Sequence, residues 1–364
     1  MEFGFSYNRR DLILYALSIG LGNSTDGDDD EAAARNEQRF LYERHAAFSA
    51  LPTFCLTFTF LSNLKTSDTS AIPPFPSPLM TRDSLIPKRF LRDKNFDLSK
   101  FPVIHTQQSI VWHNQMPIPA AAKEGQACSN RIYTKLRGKG LETISVVPKA
   151  VGTFVTVESF VTQDQTKKNN SYRVPICSMR QTILIAGVSP DKIIPYQASE
   201  PEQSSPSTSQ NTRRIKIPRD GNVPPLLEFT YPTAPTQALL YRLASGDSNR
   251  IHVDDSAARL LGSDTTAPLL HGLCTLGIAV RALLRVVPDA DTSIRSLDVK
   301  FTQPVFVGDV LTVRIWKKDA SSSSSSSLVF DVIKKDPPQD DTEAIVVVDG
   351  GQAVFDRPIL NSKL

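Results

Sequence analysis

Two side chains that exchange protons readily, Asp247 and His252, lie five residues apart in a stretch rich in Gly, Ser and Asn. Such turn residues allow a carboxylate and an imidazole to face one small molecule, which is the arrangement that general acid–base catalysis requires. Asn249 stands between them, and Gly246 immediately precedes the carboxylate. The same residue types are also typical of a loop that caps a helix. The segment that follows favours the catalytic interpretation.

An apolar run begins after Pro268, reads LLHGLCTLGIAVRALLRVV, and stops at Pro288. It predicts a helix that is buried on almost all sides and ends at the proline, and its two arginines argue against a membrane span. His271 and Gly272 fall at the helix start, where free backbone N–H groups and the helix dipole favour negative charge. Because a glycine lets a ligand approach the backbone closely, this helix start is a candidate oxyanion site.

The segments YRLASGDSNRIHVD and PLLHGLCT together resemble the signature of the R-specific 2-enoyl-CoA hydratases, the hydratase 2 or MaoC-like dehydratase family. The family pattern reads Tyr-Arg-Leu-Ser-Gly-Asp-x-Asn-Pro-Leu-His-x-Asp, followed by Pro-Ile-Leu-His-Gly-Leu-Cys-Thr. The chain departs from this pattern by an additional Ala244 and by Arg250 in place of the proline. The resemblance implies a hydro-lyase that reversibly converts trans-2-enoyl-CoA to (3R)-3-hydroxyacyl-CoA, and Arg250 bears on rate rather than on reaction type.

The resemblance assigns catalytic roles to four positions. Asp247 and His252 would hold a water and exchange protons with it, and which of them is the base stays open. Asn249 would orient the water or the substrate. The backbone N–H of Gly272 would bind the thioester oxygen as enolate charge develops.

Five further positions match substrate-binding segments of the family, and for His105, Lys149 and Phe301 a structural or solvated role is an equal alternative. His105 and Thr106 fall in a segment where the family has His-Gly-Glu-Gln. Lys149 would meet a CoA phosphate, and Phe301 would lie near the pantetheine. Glu43 would support the site across the domain interface.

Composition narrows the function further. The chain has 364 residues with 41 basic and 38 acidic side chains, so no electrostatic case for nucleic-acid binding exists. The four cysteines are widely spaced, without metal-type spacing, and Cys274 is predicted to pack in the buried helix. No metal or redox cofactor is implied, and no Gly-x-Gly-x-x-Gly follows a strand, so a fused dehydrogenase domain is not expected.

β-branched, alternating segments predict strands in both halves of the chain. Together with the resemblance, they predict an α+β double hot-dog fold, with two antiparallel sheets each wrapped around a long buried helix. The predicted division is an N-terminal, degenerate hot-dog domain at 1–197 that accommodates the acyl chain, a linker at 198–226, and a catalytic domain at 227–364. A polar run at 198–212 marks that linker.

Several local elements are also predicted. The segment 5–21, capped by Asn8 and Asp11, is predicted as a first helix or a strand–helix element, 22–37 as an exposed loop, and 40–61 as a buried helix. Residues 62–100 are predicted as surface loop, and the serine run at 321–327 as a hairpin tip.

The last three residues, Ser362, Lys363 and Leu364, form the tripeptide that the peroxisomal import receptor reads, which predicts a peroxisomal enzyme of fatty-acyl β-oxidation or secondary metabolism. A homodimer is plausible from the family, and neither a signal peptide nor a membrane span is expected. Substitutions at 106, 107 and 250 would suit a specialised substrate. A hot-dog acyl-CoA thioesterase and a non-catalytic acyl-CoA-binding protein are the alternative functions.

Overall fold

The computed structural model describes residues 2–23, 31–61, 86–119, 134–167, 170–198, 217–219, 223–247, 249–254, 267–318, 326–335, 344–357 and 359. Its α-helices are α1 (Arg9–Ser18), α2 (Glu31–Leu41), α3 (Phe58–Leu61), α4 (Gln237–Ser245), α5 (Gly272–Val286) and α6 (Ala290–Ser293). Its strands are β1 (Glu2–Tyr7), β2 (Val103–Trp112), β3 (Thr134–Lys149), β4 (Gly152–Lys167), β5 (Asn170–Ala186), β6 (Tyr196–Gln197), β7 (Leu227–Pro232), β8 (Ile294–Phe301), β9 (Val310–Lys317), β10 (Ser327–Lys335) and β11 (Ile345–Phe355). Short 3-10 helices cover Pro52–Thr57, Lys88–Phe90, Leu98–Lys100, Pro190–Lys192 and Arg250–His252.

The strands form one continuous sheet in the order β1-β3-β4-β5-β2-β8-β11-β10-β9-β7, with β6 attached to β3. Strands predicted in both halves of the chain are therefore present, as an antiparallel sheet. The two predicted sheets join edge to edge through β2 and β8, whose pairing runs from Gln107 opposite Lys300 to Val111 opposite Ser296. This pairing leaves neither strand as an open edge at the junction, which an exposed row of backbone donors and acceptors would otherwise create.

Helix α5 lies at the centre of the main apolar core, as its sequence predicts. The consecutive residues 273–284 are all buried, and the helix ends just before Val287 and Pro288. The same cluster includes buried side chains from both halves of the chain, such as Phe54 of the first half and Phe330 of the second. None of the helices within the described ranges is long and apolar enough to cross a membrane.

Helix α1 connects the N-terminal half to the elements that carry the candidate site. It starts with the predicted capping box, in which Asn8 and Asp11 each accept a hydrogen bond from the other's backbone N–H. At its end, the carbonyl of Ser18 accepts hydrogen bonds from Gln237 Nε2 at 2.5 Å and from Cys274 Sγ at 3.6 Å. Helices α4 and α5 are thus held in place by the chain's first helix.

The contact between Ile19, which caps the end of α1, and Gly277 of α5 leaves no room for an added carbon. A Cβ on Gly277 would lie 2.5 Å from Cγ2 of Ile19, well inside van der Waals contact. Although alanine favours a helix interior by roughly 1 kcal/mol over glycine, overpacking costs about 1–3 kcal/mol. We expect Gly277→Ala to lower the midpoint of urea unfolding, and Ile19→Ala to restore part of that loss in the double variant. Additive effects in this cycle would contradict the close contact.

Two predictions for the N-terminal half are wrong in the described residues. Residues 31–37, predicted as exposed loop, belong to α2, because Ala, Glu, Gln and Arg are strong helix formers. The segment 40–61 is not one buried helix: α2 ends at Leu41, and a 3-10 helix follows at Pro52–Thr57. A residue that precedes proline is disfavoured in the α-region, and Leu51 is accordingly extended, with ψ at 132°.

The described part of the predicted surface loop 62–100 is also partly buried. Ile86, Phe90, Leu91 and Leu98 pack in a second apolar cluster on β4 and β5, because apolar side chains recur among the polar ones. Residues 62–85, nearly all of the polar run 198–212, and 321–325 of the serine run lie outside the described residues.

Candidate active site

The loop after α4 fixes the carboxylate of Asp247 by local hydrogen bonds. Gly246 ends α4 in the left-handed conformation, with φ at 74°, which glycine adopts without strain. The backbone N–H of Asp247 donates to Ser245 Oγ at 3.2 Å, and its Oδ1 accepts from the backbone N–H of Asn249 at 3.0 Å. The loop therefore caps a helix and also presents a carboxylate, so the two sequence interpretations describe one structure.

His252 is held in one tautomer by the backbone. Its Nδ1 lies 2.8 Å from the carbonyl oxygen of Leu269, and because a carbonyl only accepts, Nδ1 must carry the hydrogen. The other ring nitrogen, Nε2, is then left with a free lone pair. Asn249 supports this ring indirectly, since its side chain accepts from the backbone N–H of Ile251 and caps the 3-10 helix that carries His252.

His271 stacks on His252 directly before α5 begins. The two ring centroids are 3.6 Å apart with planes inclined by 21°, and the ring of Tyr241 lies 4.8 Å from His271 on another side. His271 is 2 % exposed, and neither of its ring nitrogens makes a well-aligned hydrogen bond among the described residues, although a backbone group of Asp247 lies close enough to raise its pKa against the effect of burial. His271 is the N-cap of α5, and its backbone is extended rather than helical, with φ at −61° and ψ at 130°.

Asp247, His252 and His271 each offer one ligand atom, and these atoms lie within 4.8 Å of one another. Burial raises the pKa of Asp247, opposed by the charge of His252. Burial lowers the pKa of His252, opposed by Asp247, and it lowers the pKa of His271 well below the ordinary value. Both imidazoles are consequently biased to the neutral form, which can accept a proton or a hydrogen bond.

These three side chains are also the one group of metal-capable donors found within the described residues. Two imidazole nitrogens and a carboxylate oxygen form a donor set that zinc accepts. The expectation that the protein uses no metal stays a prediction.

Three of the other predicted residues come together beside the start of α5. A Cβ on Gly272 would lie 3.3 Å from the ring of Phe301, so the glycine allows this ring to approach the helix start. The ring of His105 stands 5.2 Å from that of Phe301 in an edge-on arrangement. The N–H of Gly272, in the first turn of α5, has no partner within the helix and carries the positive end of the helix dipole.

His105 and Thr106 lie at an irregularity of β2, where the register with β5 shifts. His105 Nε2 is 2.9 Å from the carbonyl oxygen of Gln107. Burial lowers the pKa of His105 to about 4, although the hydrogen bond to this carbonyl acts in the opposite direction and raises the pKa. Thr106 Oγ1 donates to the carbonyl oxygen of Thr182 at 2.9 Å. The ring of His105 therefore reaches Phe301, whereas the hydroxyl of Thr106 is bound to the neighbouring strand.

Lys149 and Glu43 make their described contacts away from the acid–base pair. Lys149 is exposed at the end of β3 beside the turn to β4. The strand order separates β3 from β2 by three steps, roughly 14 Å at the usual strand spacing. Glu43 is exposed in the turn after α2, and its backbone carbonyl, rather than its carboxylate, accepts a hydrogen bond from Arg9.

The structure places three further residues at the site: the sequence indicated His271 only by its position at the helix start and gave no role to Tyr241 or Arg242. His271 stacks on His252, and the ring of Tyr241 contacts His271 at a tilt of 48°. Arg242 acts electrostatically on both Asp247 and His271. All three belong to the two motif segments, and membership of these segments is the signal that could have found them. Arg250 is exposed and pairs with Asp254 at 2.5 Å.

Two family models match the chain: residues 5–81 match the MFE-2 hydratase 2 N-terminal domain, and residues 220–334 match the MaoC like domain. The chain carries both of these domains. Asp247, His252, Gly272 and Phe301 all lie in the MaoC-like domain, whereas Glu43 lies in the hydratase 2 N-terminal domain. The predicted boundaries of the linker stay a prediction.

Curated relatives agree with this domain composition. The chain is 30 % identical over 322 residues to the peroxisomal multifunctional enzyme type 2 of Drosophila melanogaster, covering 87 % of this chain and 42 % of that protein. It is 28 % identical to the peroxisomal enoyl-CoA hydratase 2 of Arabidopsis thaliana, covering 86 % of this chain and 83 % of that protein. The chain thus spans less than half of the Drosophila enzyme but most of the Arabidopsis hydratase.

Solved structures share the fold. A MaoC-like dehydratase from Phytophthora capsici superposes with a TM-score of 0.64 at 23 % identity, covering 98 % of this chain and 95 % of that one. The full-length Drosophila enzyme superposes with a TM-score of 0.60, covering 98 % of this chain and 48 % of that one. The predicted α+β, double hot-dog fold is confirmed by these likenesses, with the MaoC-like domain built around α5.

Proposed function

We propose that the protein catalyses the reversible addition of water to trans-2-enoyl-CoA, giving (3R)-3-hydroxyacyl-CoA. The observation that carries this proposal is the pair formed by half-buried Asp247 and buried His252, next to the N–H of Gly272 at the start of α5. Hydration of a conjugated thioester needs groups that move protons and a donor for the thioester oxygen within one small site. Relatives named as enoyl-CoA hydratases and multifunctional enzymes support the same reaction.

The reaction balances within the pair formed by Asp247 and His252. The water oxygen forms a bond to C3 while the C2–C3 π electrons move toward the thioester carbonyl. The pair takes one proton from the water and returns one proton to C2 on the same face, so that it ends the cycle unchanged. The N–H of Gly272 donates to the thioester oxygen, on which negative charge grows in the transition state.

Asn249 contributes to this mechanism through the position of His252. Its side-chain oxygen caps the 3-10 helix that carries the imidazole, and its backbone N–H donates to Asp247 Oδ1. Both members of the acid–base pair are therefore oriented by one residue that lies between them in sequence. Asn249 would also orient the water or the substrate directly.

Substrate contacts extend from the start of α5 along the sheet. His105 and Phe301, in edge-on contact next to Gly272, are placed to meet the pantetheine or acyl portion of the thioester. Lys149, three strands away, would meet a CoA phosphate. The N-terminal domain would accommodate the acyl chain.

Purified protein tests the reaction directly. Loss of enoyl-thioester absorbance is followed with crotonyl-CoA and with a medium-chain trans-2-enoyl-CoA, and the product is separated on a chiral column. We expect the 3R alcohol with no release of free CoA thiol. Thiol release would indicate a thioesterase, and tight binding of both thioesters without turnover would indicate an acyl-CoA-binding protein.

The pH profile of hydration should reflect the depressed pKa of His252. Because burial lowers this pKa below its ordinary value of 6.5, the imidazole stays neutral on acidification through pH 6.5. We therefore expect kcat/KM to hold at pH 6.5 and to fall only at lower pH, where the pair binds an additional proton. A decline centred above pH 6.5 in a profile of kcat/KM would contradict this assignment.

The names of the relatives support a peroxisomal location and an acyl-CoA substrate for this protein. The protein would enter the peroxisome through the import receptor that reads Ser362, Lys363 and Leu364. It would also form a homodimer. A fluorescent fusion with and without these three residues tests the first, and light scattering after gel filtration tests the second. A diffuse distribution of the intact fusion would refute the location.

A further inference from the structure

The ring of His271 is buried beside the acid–base pair, and neither of its nitrogens makes a well-aligned hydrogen bond among the described residues, although a backbone group of Asp247 lies close enough to favour the charged form of the ring. Leaving a buried polar group without a hydrogen bond costs about 1–3 kcal/mol. Stacking on His252 and contact with Tyr241 account for the ring as a flat surface, but an apolar ring would provide the same surface without that cost. A well-aligned partner is therefore missing for the ring, and a molecule that enters the site can supply it.

The distances within the cluster fit a partner of the size of one water molecule. Three atoms that lie within 4.8 Å of one another can all be reached from one central point by contacts of about 2.8 Å, an ordinary hydrogen-bond length. The three atoms belong to Asp247, His252 and His271. A zinc ion would instead require each donor at about 2.0–2.2 Å.

We propose that His271 is a third catalytic residue, whose ring N–H donates a hydrogen bond to the reacting water that Asp247 and His252 also bind. This inference rests on the proposed hydratase function. It adds a group to the acid–base pair without changing the reaction.

The hydrogen-bonding capacity of water supports this arrangement. A water molecule has two hydrogens and two lone pairs. His252 Nε2 and the carboxylate of Asp247 can accept its two hydrogens, and the N–H of His271 can donate to one lone pair. One lone pair of the water oxygen then remains, and this lone pair forms the bond to C3. The three side chains thus leave the water a single direction of attack.

The protons balance without a change in the charge of His271. The pair of Asp247 and His252 takes one hydrogen of the water and returns one to C2, while the other hydrogen stays on the product hydroxyl. His271 keeps its proton throughout and donates to the same oxygen in both directions. In the dehydration direction, this N–H lies on the leaving hydroxyl oxygen, where a donor assists cleavage of the C3–O bond.

Two variants of His271 separate hydrogen bonding from packing. His271→Phe keeps a ring to stack on His252 but removes both nitrogens, whereas His271→Asn keeps a side-chain N–H and loses the ring. We expect the Phe variant to lose about 100-fold in kcat with little change in KM, in the range of one lost transition-state donor. We expect the Asn variant to remain within about tenfold of the wild type.

Controls make each outcome decisive. Thermal unfolding shows whether each variant is folded. Binding of butyryl-CoA, a saturated thioester that cannot be hydrated, shows whether each variant still binds acyl-CoA. If His271→Phe does not fold, His271→Met takes its place. A folded Phe variant with kcat near the wild type, or one more active than the Asn variant, would overturn the role. Loss of wild-type activity on chelation, restored by zinc, would assign the cluster to a metal and also overturn it. An inactive wild type would instead refute the hydratase proposal itself.

Discussion

Asp247→Asn is expected to lower kcat/KM for trans-2-enoyl-CoA by about 10³-fold or more, in the range that general acid–base groups contribute. Asparagine has nearly the same shape and still offers a side-chain oxygen to the backbone N–H of Asn249, the contact that aspartate makes at 3.0 Å. It can neither take a proton from the water nor return one to C2. The loss should therefore appear in kcat, with butyryl-CoA binding retained.

The stability of this variant should move in the opposite direction from its activity. Burial raises the pKa of Asp247, which means that the folded protein holds the charged carboxylate at a cost in free energy. A neutral amide removes that cost, so the thermal midpoint of Asp247→Asn should equal or exceed that of the wild type. A variant that is inactive and also unfolded at a lower temperature would show a structural role for the carboxylate.

A companion variant tests whether the two groups act as one unit. His252→Gln removes the other member of the pair, and residues that act together in one proton transfer give strongly non-additive losses. We expect the double variant to be no slower than the slower of the two single variants. Multiplication of the two losses would mean that Asp247 and His252 act in separate steps.

The local features of this chain could be predicted from its sequence because their causes are local. The capping box of Asn8 and Asp11 and the apolar run of α5 each lie within a short segment, and each forms as expected. The non-helical backbone at Leu51 is equally local, because Pro52 follows it, but the prediction of one helix over 40–61 overlooked this constraint. The motif around Asp247 likewise specified the loop that positions it.

Long-range features could not be predicted in this way. Alternation along β2 and β8 indicates strands but does not tell which strand pairs with which, so the continuous sheet emerged only from the structure. The stacking of His271 on His252 depends on how two loops meet across Leu269, and neither loop specifies this alone. The ion pair that joins Arg281 to the N-terminal half is separated by 244 positions in sequence.

That ion pair is expected to be a large single contribution to stability outside the apolar core. Arg281 is 1 % exposed in the middle of α5, and its Nε lies 2.6 Å from Oε1 of Glu37 on α2. The other carboxylate oxygen of Glu37 accepts from Arg281 Nη2 at 3.2 Å and from the backbone N–H of Gly22 at 3.0 Å. Removing one partner of a buried pair leaves the other charge without compensation and typically costs about 3–5 kcal/mol.

We therefore expect Glu37→Leu to lower the free energy of unfolding by about 3–5 kcal/mol in urea titrations, and the double variant with Arg281→Met to recover much of that loss. Arg295→Met, which removes an exposed pair with Asp356, is the matched control and should cost less than about 1 kcal/mol. Equal effects of the buried and exposed changes would contradict the argument. Because α5 also carries Gly272 at its start, a loosened α2 should weaken the donor for the thioester oxygen. Glu37→Leu should then lower kcat as well as stability, which would show that the N-terminal domain holds the catalytic helix in place.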